Sequence, residues 1–236
     1  MEDLNCLNEK EAEAKERWQK TDAVCFDVDS TICADEMIDE FAEYLHCYEI
    51  TKFTEKTMDG EMPFRESLKI RLNILKPTRK QLESFIRERE LRLTPGSEAL
   101  VTELHRRRIP VYLISGGFFP MILPVAKVLK IPTTNIYANE MFFDENGFCI
   151  GFDETRITSD SGSRNFGKAA VCRKLKDEKG YRNLVMIGDG VTDMEASTQA
   201  DLFIGFGGNR CRKVVKRKAP WFVYDFDTLR ASLVDK

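Results

Sequence analysis

Histidine is nearly absent from this 236-residue chain, with two in all, so no Cys/His set is available for a zinc site. No Cys-x-x-Cys pair occurs either. The seven cysteines (Cys6, Cys25, Cys33, Cys47, Cys149, Cys172 and Cys211) are odd in number and irregularly spaced. They form no disulfide framework, and a reduced, cytosolic protein is expected. A bilayer-spanning run is missing: the longest apolar stretch, Phe118 to Ala126, has nine residues and holds two prolines. Charge of one sign is not in excess, at 36 Lys plus Arg against 39 Asp plus Glu, for a net −3. That balance, with an isoelectric point of 5.7, argues against broad electrostatic binding to nucleic acid or to an anionic membrane. The one basic run, Arg210 to Lys218, has no interleaved aromatics and reads as a solvated helix face. Residues 1–20 lack an apolar leader core and also the Arg/Ser-rich, acid-poor character of a transit peptide. Internal repeats and low-complexity tracts are missing too.

What remains is an ordinary globular composition, 42% hydrophobic and 32% charged, long enough for one large domain or one domain with a small insert. Glu9 to Gln19 reads as a surface helix. Ala23 to Phe26, Val111 to Ile114 and Leu184 to Ile187 are short apolar runs of the kind buried on both faces of a sheet, with Leu202 to Ile204 and Phe222-Val223 as further strands. Met37 to Glu90 is charged, with apolar residues at helical intervals, and Thr94-Pro95-Gly96 closes it. Ser97 to Arg107, Met121 to Leu129 and Gly167 to Lys179 read as helices. Ile136 to Phe143 and Phe148 to Phe152, separated by a turn containing Asn146-Gly147, read as a β-hairpin. Apolar strands alternating with helices predict an α/β fold, a parallel sheet covered on both faces, with ligands bound beyond the carboxyl ends of its strands.

Three strands run directly into polar segments: Asp27-Val28-Asp29-Ser30-Thr31, Ser115-Gly116-Gly117 and Gly188-Asp189-Gly190-Val191-Thr192-Asp193. Singly, each is what any turn or helix cap uses. Together, at one end of one sheet, they gather up to four carboxylates (Asp27, Asp29, Asp189 and Asp193) that would force one another to protonate unless a cation intervened. Oxygen ligands of this kind suit Mg²⁺. Ser115, Thr192 and the Gly116 and Gly117 amides are neutral donors suited to an anion. Carboxylates, a hard cation and an anion cradle together suggest phosphoryl transfer.

These segments, with Lys168, resemble the four motifs of the haloacid dehalogenase-like phosphatases, and the longer stretches AVCFDVDSTICADEMIDE, LISGGF, ANEMFFDENGFCIGFDET, MIGDGVTDMEA and ADLFIGFGGN carry the likeness over almost the whole chain after about residue 12. The resemblance implies a Rossmann-like three-layer core, residues 1–34 and 96–236, and a helical cap, residues 35–95, inserted after the first motif. It implies Asp27 as the nucleophile that becomes an aspartyl-phosphate, and Asp29 as the acid and then the base. Mg²⁺ would be held by the Asp27 carboxylate, the Asp29 carbonyl and Asp189, with Asp193 just outside that set. Lys168, taken alone, is most often a solvated surface residue. It stands 21 residues before Asp189, as the motif lysine does, and Arg164 is the competing cation. In the cap, Glu36 and Arg71 match the partners of a substrate's ammonium and carboxylate, and Met58 lines the side that closes over it. Two places depart from the pattern: Asp59 stands where Gly or Glu is common, and bulky Asn165 and Phe166 sit in the loop before Lys168.

Within that family the branch acting on O-phospho-L-serine is the nearest likeness, so the expected reaction is Mg²⁺-dependent release of L-serine and phosphate, the last step of serine biosynthesis. Two rivals are the same chemistry on another small phosphomonoester and a phospho-ligand sensor without turnover, against which Asp29, a second carboxylate able to shuttle protons, argues. The expected partner is a small molecule, with no nucleic acid and no membrane. The hairpin and N-terminal helix are the surfaces through which a homodimer could form.

Overall fold

The computed structural model describes residues 4–233. The chain opens with α1 (Leu4–Gln19) and β1 (Ala23–Phe26), then makes a kinked turn over Val28–Ile32 in which Ser30 adopts φ +54°. Four helices follow: α2 (Met37–Tyr44), α3 (Thr51–Met58), α4 (Phe64–Leu75) and α5 (Arg79–Glu88). The chain continues through α6 (Ser97–Arg106), β2 (Val111–Phe118), α7 (Phe119–Val128), β3 (Ile136–Asn139) and a hairpin of β4 (Met141–Phe143) and β5 (Cys149–Phe152). The last third holds α8 (Lys168–Lys179), β6 (Leu184–Gly188), α9 (Val191–Met194), β7 (Leu202–Phe206), α10 (Lys213–Lys218), β8 (Trp221–Val223) and α11 (Phe226–Ala231). No described helix is long and apolar enough to cross a membrane.

Six strands form one sheet in the order β3-β2-β1-β6-β7-β8, every neighbouring pair parallel. The chain builds outward from β1 to one side and then crosses over to build from β6 to the other. The crevice between the ends of β1 and β6 is the point where such sheets bind ligands. Alternate residues along each strand separate into two cores. Val24 and Phe26 of β1 join Val185 and Ile187 of β6 against Trp18, Leu100, Leu104, Phe226 and Leu229. Ala23, Cys25, Leu184 and Met186 face Val171, Cys172 and Leu175 of α8 on the other side. Burial on both faces explains why these strands read as continuous apolar runs with no polar alternation.

Three expectations shift. The N-terminal helix begins at Leu4, ahead of Glu9. Ser115-Gly116-Gly117 is the end of β2, which runs on to Phe118 with a register shift after Ile114. The run Ile136 to Phe143 is two strands: Ile136–Asn139 joins the main sheet, and only Met141–Phe143 enters the hairpin. The break falls beside Asn139, whose buried amide donates to Gly116 O (2.8 Å) and Thr158 O (3.2 Å). Sequence alternation does not register a side chain committed to a neighbouring strand.

The four-helix insert is joined to the sheet by two chain segments that run side by side, paired through Cys33 and Leu93, through Ala34 N to Arg92 O (3.0 Å) and through Thr94 N to Ile32 O (2.9 Å). Phe41 and Phe85, 5.0 Å apart, pack in the insert's interior. Thr78 begins α5 with a capping box, its hydroxyl accepting from Gln81 N (3.2 Å) while Gln81 Oε1 accepts from Thr78 N (2.8 Å). The same corner is fastened to the hairpin by Arg79 N to Gly147 O (2.8 Å) and Cys149 N to Pro77 O (2.9 Å).

Two glycines separate crowding from backbone strain. A Cβ on Gly205, in β7, would lie 2.7 Å from the Phe222 ring and 2.9 Å from Ala219 Cβ. Gly180 ends α8 at φ +73° with open space around it. Urea unfolding should show Gly205→Ala destabilised by about 1–3 kcal/mol through overpacking and Gly180→Ala by only about 1 kcal/mol, the cost of a left-handed backbone.

Candidate active site

β1 ends at Phe26, and Asp27 leaves the sheet with its amide still donating to Ile187 O of β6 (2.9 Å). That bond holds the first carboxylate beside the β6 terminus, where Gly188 and Asp189 follow. Gly188 has no room for a side chain, since a Cβ there would meet Asp193 at 2.3 Å. Asp193 turns back to accept from Gly190 N (2.8 Å). Carboxylate oxygens of Asp27, Asp189 and Asp193 therefore lie within 4.8 Å of one another, all three residues buried.

Lys168, 7% exposed at the first position of α8, reaches into this cluster. Its ammonium lies 2.5 Å from Asp27 Oδ1 and pairs with Asp193 Oδ1. Burial alone would favour the neutral amine, but Asp193 and Asp27 outweigh it and hold Lys168 firmly protonated. Arg164 is exposed.

Asp29 faces elsewhere. Its Oδ1 accepts from Met37 N (2.8 Å), the first amide of α2, and its Oδ2 accepts from Ser115 Oγ (3.3 Å). Ser115 Oγ also accepts from Gly117 N (2.8 Å). The Asp29 carboxylate thus stands apart from the three-carboxylate cluster, between the sheet and the insert. Burial pushes its pKa up, as it does for Asp27, where Asp193 adds to the effect, and for Asp189, pushed up to about 6 by burial and Asp193.

Cleft walls include Asp27, Asp29, Glu36, Arg71, Ser115, Gly116, Gly117, Lys168 and Thr192. All of these expected site residues are brought together; Asp189 and Asp193 sit beneath them. Met58 ends α3, and its side chain lies outside the described residues. Glu36 Oε1 accepts from Ser30 Oγ (2.8 Å), and burial with Asp29 and Asp189 raises its pKa to about 8.

Arg212 went unseen in the sequence, hidden in the basic run read as a solvated face. The helix there begins only at Lys213. Arg212 is extended (φ −85°, ψ 118°), so its side chain leaves the helix face and reaches the acidic cluster beside the cleft, 11% exposed. Its guanidinium donates to Asp189 Oδ2 (3.0 Å) and Asp59 Oδ1 (3.2 Å), and Nη2 lies 3.9 Å from Glu36. Thr31 Oγ1 (3.2 Å to Asp189 Oδ1) and Asn139, which props Gly116, were missed as well. The two departures in sequence have visible roles: Asp59 pairs with Arg212, and the Phe166 ring carries the Arg65 guanidinium at 4.8 Å.

The donor set fits a hard divalent cation. Oxygen ligands converge from two strand ends, and burial with mutual repulsion destabilises the charged forms of Asp27 and Asp189, a conflict a dication removes.

A family model, haloacid dehalogenase-like hydrolase, matches residues 21–201. The chain belongs to the haloacid dehalogenase-like hydrolases. It is 44% identical over 223 residues to the phosphoserine phosphatase of Homo sapiens, covering 94% of this chain and 97% of that one. It is also 44% identical over 219 residues to the chloroplastic phosphoserine phosphatase of Arabidopsis thaliana, covering 92% and 73%. A solved phospho-aspartyl intermediate analogue of phosphoserine phosphatase superposes with a TM-score of 0.76 at 26% identity, over 91% of this chain and 99% of that one. In this haloacid dehalogenase-like hydrolase the Phe64 ring lies where a Gly116 Cβ would come within 2.5 Å of it. Gly116→Ala should push Phe64 and the insert off the cleft and lower kcat/KM by about 10- to 100-fold. Adding Phe64→Leu should recover part of the loss in the same steady-state assay.

Proposed function

We propose that the chain hydrolyses O-phospho-L-serine to L-serine and phosphate through an aspartyl-phosphate on Asp27, the closing step of serine biosynthesis. The observation that carries the substrate is Arg71. It is 3% exposed in the wall of the cleft, and among the described residues no carboxylate lies within ion-pairing distance. A buried cation with no direct ion pair favours an anionic ligand beside it. With Glu36 on the same wall, the cleft offers one acid and one base to a zwitterion, and Lys168, Ser115, the Gly116 and Gly117 amides and Thr192 to its phosphate. The names of the relatives point the same way.

In the first half-reaction a carboxylate oxygen of Asp27 attacks phosphorus, the bond from phosphorus to the seryl oxygen breaks, and Asp29 gives that oxygen its proton. In the second, Asp29 takes a proton from water as the water oxygen attacks phosphorus. The bond to Asp27 then breaks, restoring its carboxylate. Burial supports both roles of Asp29 by raising its pKa towards the working range. Lys168 offsets the charge of Asp27 and of the phosphate through both steps. The Asp27 carboxylate, the Asp29 carbonyl and Asp189, with Asp193 beside them, would hold Mg²⁺, which would supply charge neutralisation at the phosphoryl group. Residues 35–95 act as a cap that excludes water over a core of residues 1–34 and 96–236.

Among the described residues six cysteines are free, which supports a reducing compartment, the cytosol in this reading. For a homodimer, the exposed Phe142, Phe148 and Ile150 of the hairpin are the surface a second copy would use, and light scattering on the purified protein measures it.

Phosphate release from phosphoserine should be lost with Asp27→Asn, by at least about a thousandfold, as expected for removal of a nucleophile. It should also be lost on chelation with EDTA and return with added Mg²⁺. Arg71→Ala should cost phosphoserine most among small phosphomonoesters. An Arg71→Ala variant that hydrolyses phosphoserine at the wild-type kcat/KM would refute the substrate assignment, and binding of phosphoserine without turnover in Mg²⁺ would favour a sensor.

A further inference from the structure

Three helices of the insert meet behind Arg71. Arg71, on α4, donates from Nη1 to Thr54 Oγ1 on α3 (3.2 Å), and Thr54 Oγ1 donates to Asp39 Oδ1 on α2 (2.8 Å). The direction of both bonds is fixed by chemistry: a guanidinium only donates, an ionised carboxylate only accepts, and the hydroxyl does one of each. Thr54 is buried, so neither bond is exchanged for water without cost. Nε of Arg71 donates to Ser67 O at 3.4 Å, a long contact that leaves Thr54 as the main anchor of the guanidinium.

Direct pairing of Asp39 with Arg71 would occupy the planar edge that binds a carboxylate through two parallel hydrogen bonds. The hydroxyl between them removes that competition. It fixes the guanidinium through Nη1 in the wall of the cleft, involves Nη2 in neither bond, and keeps a compensating negative charge one residue away. We infer that Thr54 and Asp39 are positioning residues that hold Arg71 aimed at the substrate's carboxylate, and so set the preference for phosphorylated amino acids over phosphomonoesters that lack a carboxyl group. This inference rests on the reading of Arg71 as the carboxylate's partner.

The test compares phosphoserine with O-phosphoethanolamine, which keeps the phosphate and ammonium and lacks the carboxylate. It measures kcat and KM for wild type, Thr54→Val, Thr54→Ser, Asp39→Asn and Arg71→Ala. Thr54→Val keeps the side chain's shape and removes both bonds. It should raise KM for phosphoserine by about tenfold, the scale of one hydrogen bond to a charged group, and lower the ratio of kcat/KM for phosphoserine over phosphoethanolamine by the same factor. Thr54→Ser should restore the ratio to within about threefold of wild type, and Asp39→Asn, which keeps an acceptor but loses the charge, should fall between. If Arg71→Ala collapses the ratio while Thr54→Val and Asp39→Asn leave it at the wild-type value, the positioning role is wrong and the reading of Arg71 stands. Equal losses on both substrates in Thr54→Val mark a purely structural residue and also overturn the inference. A ratio unmoved by Arg71→Ala sinks the underlying reading instead. Should Thr54→Val fail to fold, as read by circular dichroism, the Asp39→Asn ratio decides in its place.

Discussion

Everything in the cleft depends on one buried ammonium. Asp27, Asp189 and Asp193, all buried, converge from the ends of two adjacent strands, and Lys168 lies between Asp27 and Asp193. Desolvation raises the cost of charge on Asp27 and on Asp189, and the lysine offsets part of it for Asp27. The backbone before Lys168 is shaped to this end. Gly167 turns into α8 at φ +90°, where an added Cβ would sit 3.1 Å from Ser161 Cα and 3.2 Å from Asp160 O. Glycine at that corner lets the first residue of α8 point into the crevice instead of along the protein surface.

Contacts between core and insert are of a different kind. Arg65 of α4 reaches Ser159 Oγ (2.9 Å) and Asp160 Oδ2 (3.3 Å), and on another side Arg212 reaches Asp59. These pairs are partly exposed, a setting in which each contributes less than about 1 kcal/mol. Phe64 against Gly116 adds one apolar contact over the cleft floor. Beside these side-chain contacts stand the backbone bonds that fasten the insert's corner to the hairpin, Arg79 N to Gly147 O and Cys149 N to Pro77 O.

How legible this was in the sequence follows from the range of the forces involved. β1, β6 and α8 show in the chain because burial on both faces of a parallel sheet writes continuous apolar runs, and the motif residues show because each follows such a run directly. Asn139 and Thr31 do not show, since a polar residue satisfied by a partner 23 or 158 positions away leaves no local pattern. Arg212 was misread for a related reason. Charge periodicity places a residue on a helix face only if the residue is helical, and here the helix starts one position later. The split of Ile136 to Phe143 into two strands has the same origin: apolar residues stand on both sides of Asn139 and Glu140, and the tertiary partners of the chain change there.

Asp29 ties the two halves together. Its backbone belongs to the turn after β1, yet its carboxylate accepts from the first amide of α2 and from Ser115 at the end of β2. A helix N-terminus and a hydroxyl stabilise the ionised form, burial opposes it, and burial prevails in this closed arrangement. Both influences are set by where the insert lies: moving α2 away would remove the amide and admit water together. The affinity of Asp29 for its proton is therefore coupled to the position of the insert. Asp29 and Met37, the first residue of α2, are eight positions apart in one chain, so a short common segment carries both the carboxylate and the amide that it accepts from.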